Sequence, residues 1–287
     1  MATPTWKTLV PAEALAAQLD NPDWVVVDTR FDLKDPDAGR RAYDAGHIPG
    51  AYYAHLDHDL AGPVRPDSGR HPLPDPSALA ALFDSWGVGT AVQLVACDDS
   101  GGALAARLWW LARWLGHDAV AVLDGGLAAW RAAGLPLTAA PPAPRRSRGF
   151  TPRTHEGLDV EVGALEAGLA ARDVLLIDAR AAARFRGETE PVDARAGHVP
   201  GAISVPFQDN LGPDGRFLDR DLLRARYTAL LGEGSAQRIV SMCGSGVTAC
   251  HNLLALEHAG MHGARLYVGS WSEWIRAADR PIATGSA

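Results

Sequence analysis

Cys243 stands where a strand-like pattern gives way to a helical one, in the run RIVSMCGSGVTACHNLLALEHAG at 238–260. Arg238 to Ser241 form a short apolar run that predicts a buried strand, and Thr248 to His258 carry a helical pattern. Between them Gly244, Ser245, Gly246 and Val247 form a loop in which two glycines let the backbone curl tightly. Such a loop turns its amide N–H groups, together with those at the start of the helix, toward the sulfur, and both favour a thiolate. A thiolate held in this way is a nucleophile able to form a covalent intermediate. The competing reading, a cysteine that merely packs, suits the residue type in general but not this place at a strand end. A phosphatase built on such a cysteine needs an arginine six residues on to clamp phosphate. Ala249 occupies that position, which argues against phosphoryl chemistry.

The other two cysteines, Cys97 in a strand pattern and Cys250 on the predicted helix, read as packing residues. Three cysteines make no disulfide framework, so a reducing, cytoplasmic setting is expected. No second cysteine or histidine pair stands at ligand spacing around any of them, so no metal site is expected. The amino-terminal MATPTWKTLV has neither the basic and apolar pattern of a signal peptide nor that of a transit segment. No apolar stretch approaches the length that spans a bilayer. A net charge of −7 with both signs interspersed gives no broad footprint for nucleic acid or an anionic membrane.

The elements that must position Cys243 occur twice. WVVVDTR at 24–30 is followed by AGHIPGA at 45–51, and VLLIDAR at 174–180 by AGHVPGA at 196–202. Farther on, Val95 to Trp130 overlies Ile239 to Trp274 at a constant offset of 144, so that LDGGLAAW at 123–130 meets YVGSWSEW at 267–274. Short β-branched runs at Val25–Val27, Val174–Ile177, Gln93–Ala96 and Ala119–Leu123 predict buried parallel strands. Helical patterns over Ala12–Leu19, Ser77–Trp86 and Ala103–Leu115 lie between them, with Gly116 and Gly260 as C-terminal stops. The fold class is therefore α/β, with two tandem domains, each a mostly parallel sheet flanked by helices. The expected boundaries are 1–138 for the first domain, 139–158 for a linker rich in proline and arginine, and 159–287 for the second.

The duplicated D-x-R and GH-[IV]-PGA motifs, the loop CGSGVTA and the terminal GSW-x-x-W together resemble the tandem-domain sulfurtransferases of the rhodanese family, over nearly the whole chain. The resemblance implies an enzyme that carries sulfur as a persulfide on Cys243, with Gly244, Gly246, Val247 and Thr248 supplying the amides that hold the loaded sulfur. It implies a small-molecule sulfur donor, an acceptor that is a thiol such as thioredoxin or a small thiol, or cyanide, and no cofactor beyond the persulfide. At the offset of 144, Asp99 falls on Cys243, so the first domain is expected to be silent. A non-catalytic binding module of the same fold is the rival reading, against which the intact CGSGVTA loop argues.

Within the family, thiosulfate users resemble one another in placing Arg and Lys in the loop, whereas 3-mercaptopyruvate users place Gly and Ser after the cysteine. Gly244 and Ser245 favour 3-mercaptopyruvate, with thiosulfate as the alternative. Its carboxylate calls for paired arginines. By resemblance Arg184 is the first anchor, with Arg186 beside it in sequence. The direct position of the second anchor holds Asp193, and Arg195 is expected to replace it. The resemblance also implies a relay of Ser245, His71 and Asp57, with His55, His58 and Asp59 as competitors for the last two places, in which a histidine titrating near neutrality moves a proton and an aspartate fixes its tautomer. His71 and Asp57 both fall in the first half of the sequence, so the silent domain would lend them. His47 and His198, repeated in both halves, read as structural, and Trp271 and Trp274 as residues on the rim of the site.

Overall fold

The computed structural model describes residues 5–232 and 234–286. The chain divides into two compact units. The first comprises the chain up to Gly62, Pro74–His155 and Pro213–Phe217; the second comprises Pro63–Leu73, Glu156–Gly212 and the chain from Leu218 onward. Each unit therefore takes a short excursion from the other's stretch of sequence.

In the first unit β1 (Leu9–Val10), β2 (Trp24–Asp28), β3 (Tyr52–Tyr53), β4 (Gln93–Cys97) and β5 (Val120–Leu123) form a parallel sheet in the order β1-β5-β4-β2-β3. Its helices are α1 (Ala12–Ala16), α2 (Ala38–Ala45), α3 (Pro76–Ser85), α4 (Ala105–Trp114) and α5 (Gly126–Ala132). In the second unit β6 (Leu175–Asp178), β7 (Ile203–Ser204), β8 (Ile239–Met242) and β9 (Arg265–Leu266) form a parallel sheet in the order β7-β6-β8-β9. Its helices are α6 (Val162–Ala171), α7 (Ala182–Phe185), α8 (Arg220–Leu231), α9 (Ala249–His258) and α10 (Ser270–Trp274). Parallel strands buried on both faces need continuous apolar runs, and β2, β4, β5 and β8 are buried at every residue.

The two repeated motifs do the same work in each unit. Arg30 returns to the carboxylate of Asp28 with two nitrogens and donates to the Gly46 carbonyl at 2.8 Å. Arg180 does the same with Asp178 and the Gly197 carbonyl, at 2.7 Å. The histidines that follow those glycines place Nδ1 2.8 Å from the carbonyl oxygens of Tyr43 and Phe185 and stack on the same two rings. His47 and His198 thus fix the turns that lead into β3 and β7, as their presence in both halves suggests. These histidines are structural.

Several elements differ from the sequence reading. The helix expected over Ala103–Leu115 starts at Ala105, because the amides of Leu104 and Ala105 turn to the Asp98 carboxylate. The linker segment 139–158 is mostly exposed, as expected, but it is hydrogen-bonded to the first unit up to His155. Arg148, Gly149 and Phe150 all donate their amides to Asp84, and Arg153 and His155 donate theirs to the carbonyls of Leu115 and Trp114. Trp271 is fully buried and Trp274 nearly so, both in the core of the second unit with Leu165, Phe185 and Tyr267 rather than on a rim.

Candidate functional site

Strand β8 ends at Met242, and the backbone of the next two residues is held by the start of α10. Ser270 sits in the left-handed region at φ 54°, where its Oγ accepts the Cys243 N–H at 3.1 Å and donates to the Tyr267 carbonyl at 2.9 Å. The amides of Trp271 and Ser272 donate to the carbonyls of Cys243 and Gly244. The terminal GSW-x-x-W motif is thus the buttress of the cysteine loop. Gly246 has φ 78°, and a Cβ there would lie 2.3 Å from the Val268 carbonyl oxygen, so no other residue fits the turn unstrained. Among the described residues, the amides of Gly244, Ser245, Val247 and Thr248 have no hydrogen-bond partner. Cys243, 2% exposed, stands at the head of this set of open donors. The other two cysteines are in no disulfide and are buried; burial pushes the Cys97 thiol well above its ordinary range, which makes it inert.

The first unit shows what such a loop binds. Strand register pairs Asp28 with Cys97 and Asp178 with Met242, so Cys97 is the counterpart of Met242 and the next residue, Asp98, is the counterpart of Cys243. Leu127 N–H donates to the Asp98 carbonyl as Trp271 N–H does to that of Cys243. The expectation that Asp99 takes the place of Cys243 is therefore corrected by one residue: the first loop has an extra residue before its helix, which a gapless comparison does not register. The Asp98 side chain is fully buried and accepts the amides of Ser100, Gly102, Leu104 and Ala105 at 2.8–2.9 Å. A carboxylate fills the first loop from within. In the second loop a cysteine stands in its place and the amides are open.

His71 Nδ1 lies 2.7 Å from Ser245 Oγ, and both side chains are buried. The structure brings this expected pair together, but not by lending His71 from the first unit. Residues 63–73 belong to the second unit. Gly69 packs so closely on Gly269 that a Cβ would lie 2.4 Å from its carbonyl oxygen, the Arg70 amide donates to Ser272 Oγ at 3.0 Å, and the Arg276 guanidinium donates to the Ser68 carbonyl. Asp57 lies in the first unit, exposed, on the stretch after β3, with its amide donating to His55 Nδ1 at 3.1 Å.

Arg184, at the end of α7, reaches the loop: its two terminal nitrogens come within 3.7 Å of where a Gly244 Cβ would be. It is held by Glu190 at 2.7 Å and Asp193 at 3.1 Å. Burial opposes charge on Glu190, yet the bonds from Arg184 and from the amides of Asp193 and Val192 outweigh it and hold its pKa below the ordinary value. Arg186 forms an exposed pair with Glu188 at 2.7 and 2.9 Å. The Arg195 carbonyl accepts from Trp271 Nε1, and no partner accompanies its guanidinium among the described residues. Sequence reasoning missed Arg70, whose Nη2 comes within 3.2 Å of the same Gly244 Cβ position. Its place immediately before His71 was the one available signal.

The chain thus carries two related parallel-sheet units, β3-β2-β4-β5 matching β7-β6-β8-β9, one with an aspartate and one with a cysteine in the amide loop. A family model described as "Rhodanese-like domain" matches residues 11–133 and again 161–277. The chain belongs to the rhodanese family. It is 52% identical over 279 residues, covering 96% of this chain and 98% of the other, to a probable 3-mercaptopyruvate sulfurtransferase of Pseudomonas aeruginosa. It is 39% identical, with 98% of both chains covered, to a putative thiosulfate sulfurtransferase, SseB, of Mycobacterium tuberculosis. Among solved structures it is similar to the 3-mercaptopyruvate sulfurtransferase SseA of Escherichia coli, with a TM-score of 0.80 at 31% identity, covering 93% of this chain and 100% of that one. No helix among the described residues is long and apolar enough to cross a membrane. No group of three or more His, Cys, Asp or Glu among them could hold a metal ion.

Proposed function

We propose that the enzyme takes sulfur from 3-mercaptopyruvate onto Cys243 and passes it to a thiol, such as thioredoxin or a small thiol, or to cyanide. The observation that carries this reading is the pair of loops. Asp98 places an anionic oxygen two bonds beyond Cβ among four amides, and a persulfide on Cys243 places its terminal sulfur two bonds beyond Cβ in the equivalent loop. The amides of Gly244, Ser245, Val247 and Thr248 then receive the sulfur anion, with Gly246 providing the turn.

In the first step the Cys243 thiolate attacks the donor's sulfur. The C–S bond breaks, its electron pair leaves as the enolate of pyruvate, and the donor's thiol proton is carried to the enolate carbon. The products are pyruvate and the Cys243 persulfide anion. In the second step an acceptor thiol attacks the outer sulfur, the S–S bond breaks, and Cys243 returns as a thiolate while the acceptor leaves as a persulfide. Charge and electrons balance within each step. In this reading Ser245 and His71 move the proton, which their 2.7 Å contact supports. Asp57 is the aspartate that the resemblance assigns to this relay, and Arg184 is the anchor of the donor's carboxylate.

A neutral loop, the Ser245–His71 pair and the relative at 52% identity support mercaptopyruvate as donor. The relative at 39% favours thiosulfate as the second reading. Three free thiols suit a reducing compartment, the cytoplasm. The test is mass spectrometry of the purified protein mixed with 3-mercaptopyruvate. One sulfur atom should be gained, with release of an equivalent of pyruvate, and Cys243→Ser should gain none. Sulfur loading of the serine variant overturns the assignment of Cys243; loading of the native enzyme by thiosulfate alone overturns the donor.

A further inference from the structure

Ser272 fills the first unspecified place of the terminal GSW-x-x-W motif, and it is buried. Its amide donates to the Gly244 carbonyl at 2.9 Å. Its Oγ accepts the Arg70 amide at 3.0 Å and donates to the Gly269 carbonyl at 3.1 Å. Gly244 immediately precedes Ser245, and Arg70 immediately precedes His71. One residue thus grips the chain one position ahead of each member of the pair that meets at 2.7 Å. With its proton committed to Gly269, the hydroxyl presents a lone pair to Arg70, so the bracket has one orientation.

The rest of the 63–73 excursion is registered on the same short helix. A Cβ on Gly69 would stand 2.4 Å from the Gly269 carbonyl oxygen, and the Arg276 guanidinium donates to the Ser68 carbonyl. On the side of the nucleophile, Ser270 Oγ and the Trp271 amide hold the backbone of Cys243. Helix α10 is therefore the common reference for Cys243, Ser245 and His71. Ser272 is tied to the cysteine loop by its backbone amide, which a side-chain substitution leaves in place, and to the excursion by its hydroxyl. A hydrogen bond weakens steeply once its geometry departs from the preferred range, and misplacing a catalytic group by about 1 Å can cost roughly 100-fold in rate.

We propose that Ser272 is the positioning residue of the Ser245–His71 pair. Its hydroxyl sets where His71 stands against Ser245, and so the rate at which the proton reaches the departing enolate. The contacts of Gly69 and Arg276 hold the same excursion in the same register. The inference rests on the mercaptopyruvate reading, because the proton concerned is the one that the enolate of pyruvate takes up.

The experiment separates the two half-reactions. In Ser272→Ala, loading of Cys243 from 3-mercaptopyruvate, followed as pyruvate release in a single turnover, should slow by roughly 10-fold. Discharge of the loaded enzyme to cyanide should keep its native rate. Cyanide takes the outer sulfur, the S–S bond breaks, thiocyanate and the Cys243 thiolate form, and no proton moves. Gly69→Ala, which pushes the excursion off Gly269 with the hydroxyl of Ser272 in place, should show the same split. In a His71→Gln background Ser272→Ala should slow loading by a further factor of about 2 or less, since it acts through the histidine. An equal slowing of loading and discharge means damage to the cysteine loop and overturns the proposal, as do losses that multiply in the double variant. A native enzyme that takes no sulfur from mercaptopyruvate overturns the donor reading and this inference with it. A native enzyme that does, beside a Ser272→Ala variant that loads equally fast, overturns the inference alone.

Discussion

His71 Nδ1 and Ser245 Oγ are 2.7 Å apart although 174 residues separate them in sequence, and both belong to the unit that carries Cys243. The contact exists because an excursion of the chain, residues 63–73, leaves the first unit's sequence and packs on the start of α10. The Ser245–His71 pair and Cys243 thus stand in the same unit.

If this pair moves the proton to the departing enolate, His71→Gln should lower kcat for mercaptopyruvate by about 100-fold, within the range of general acid–base catalysis. Thiosulfate leaves as sulfite and needs no such proton, so its turnover should fall much less. Steady-state kinetics with both donors checks this, and equal losses would remove the donor-specific relay.

Asp98 fills the amide loop of the first unit. Asp98→Ala leaves four buried or partly buried amides without their acceptor, and the protein should lose about 3 kcal/mol of stability in urea unfolding, while Cys243 still accepts one sulfur atom. Unchanged stability would mean that the carboxylate is not what holds that loop.

Gly246→Ala forces a Cβ toward the Val268 carbonyl oxygen at a φ that L-residues adopt at a cost. A destabilisation of about 2 kcal/mol or more is expected, together with slower persulfide formation, because the loop amides must move. Thermal unfolding and rapid-mixing measurement of sulfur loading read the two effects separately.

Glu190 is held below its ordinary pKa, so it binds protons more weakly in the folded than in the unfolded chain. Its stabilising contribution is present above the ordinary glutamate range, about 4.3, and is lost as pH falls through the lower folded value. Glu190→Gln should therefore be less stable than the native protein near neutrality, with a smaller further loss on acidification below about pH 4. Parallel denaturant titrations at pH 7 and in mild acid would show it, and parallel curves for the two proteins would refute it.

The sequence by itself determined the duplicated α/β architecture, because strand and helix periodicities and the paired D-x-R and GH-x-PGA motifs are local patterns that recur within short stretches. It also singled out Cys243 as the candidate nucleophile and, through resemblance, Ser245 and His71 as a pair, which stand 2.7 Å apart. Tertiary structure decided matters that depend on register and on distant segments. One residue of slippage in a loop moved the counterpart of Cys243 from Asp99 to Asp98, which only strand pairing reveals. The 63–73 excursion put His71 in the second unit, and brought Arg70 beside Arg184 through a shared buried carboxylate. Charge-assisted contacts of this kind form between residues more than a hundred positions apart, so no spacing in the chain announces them.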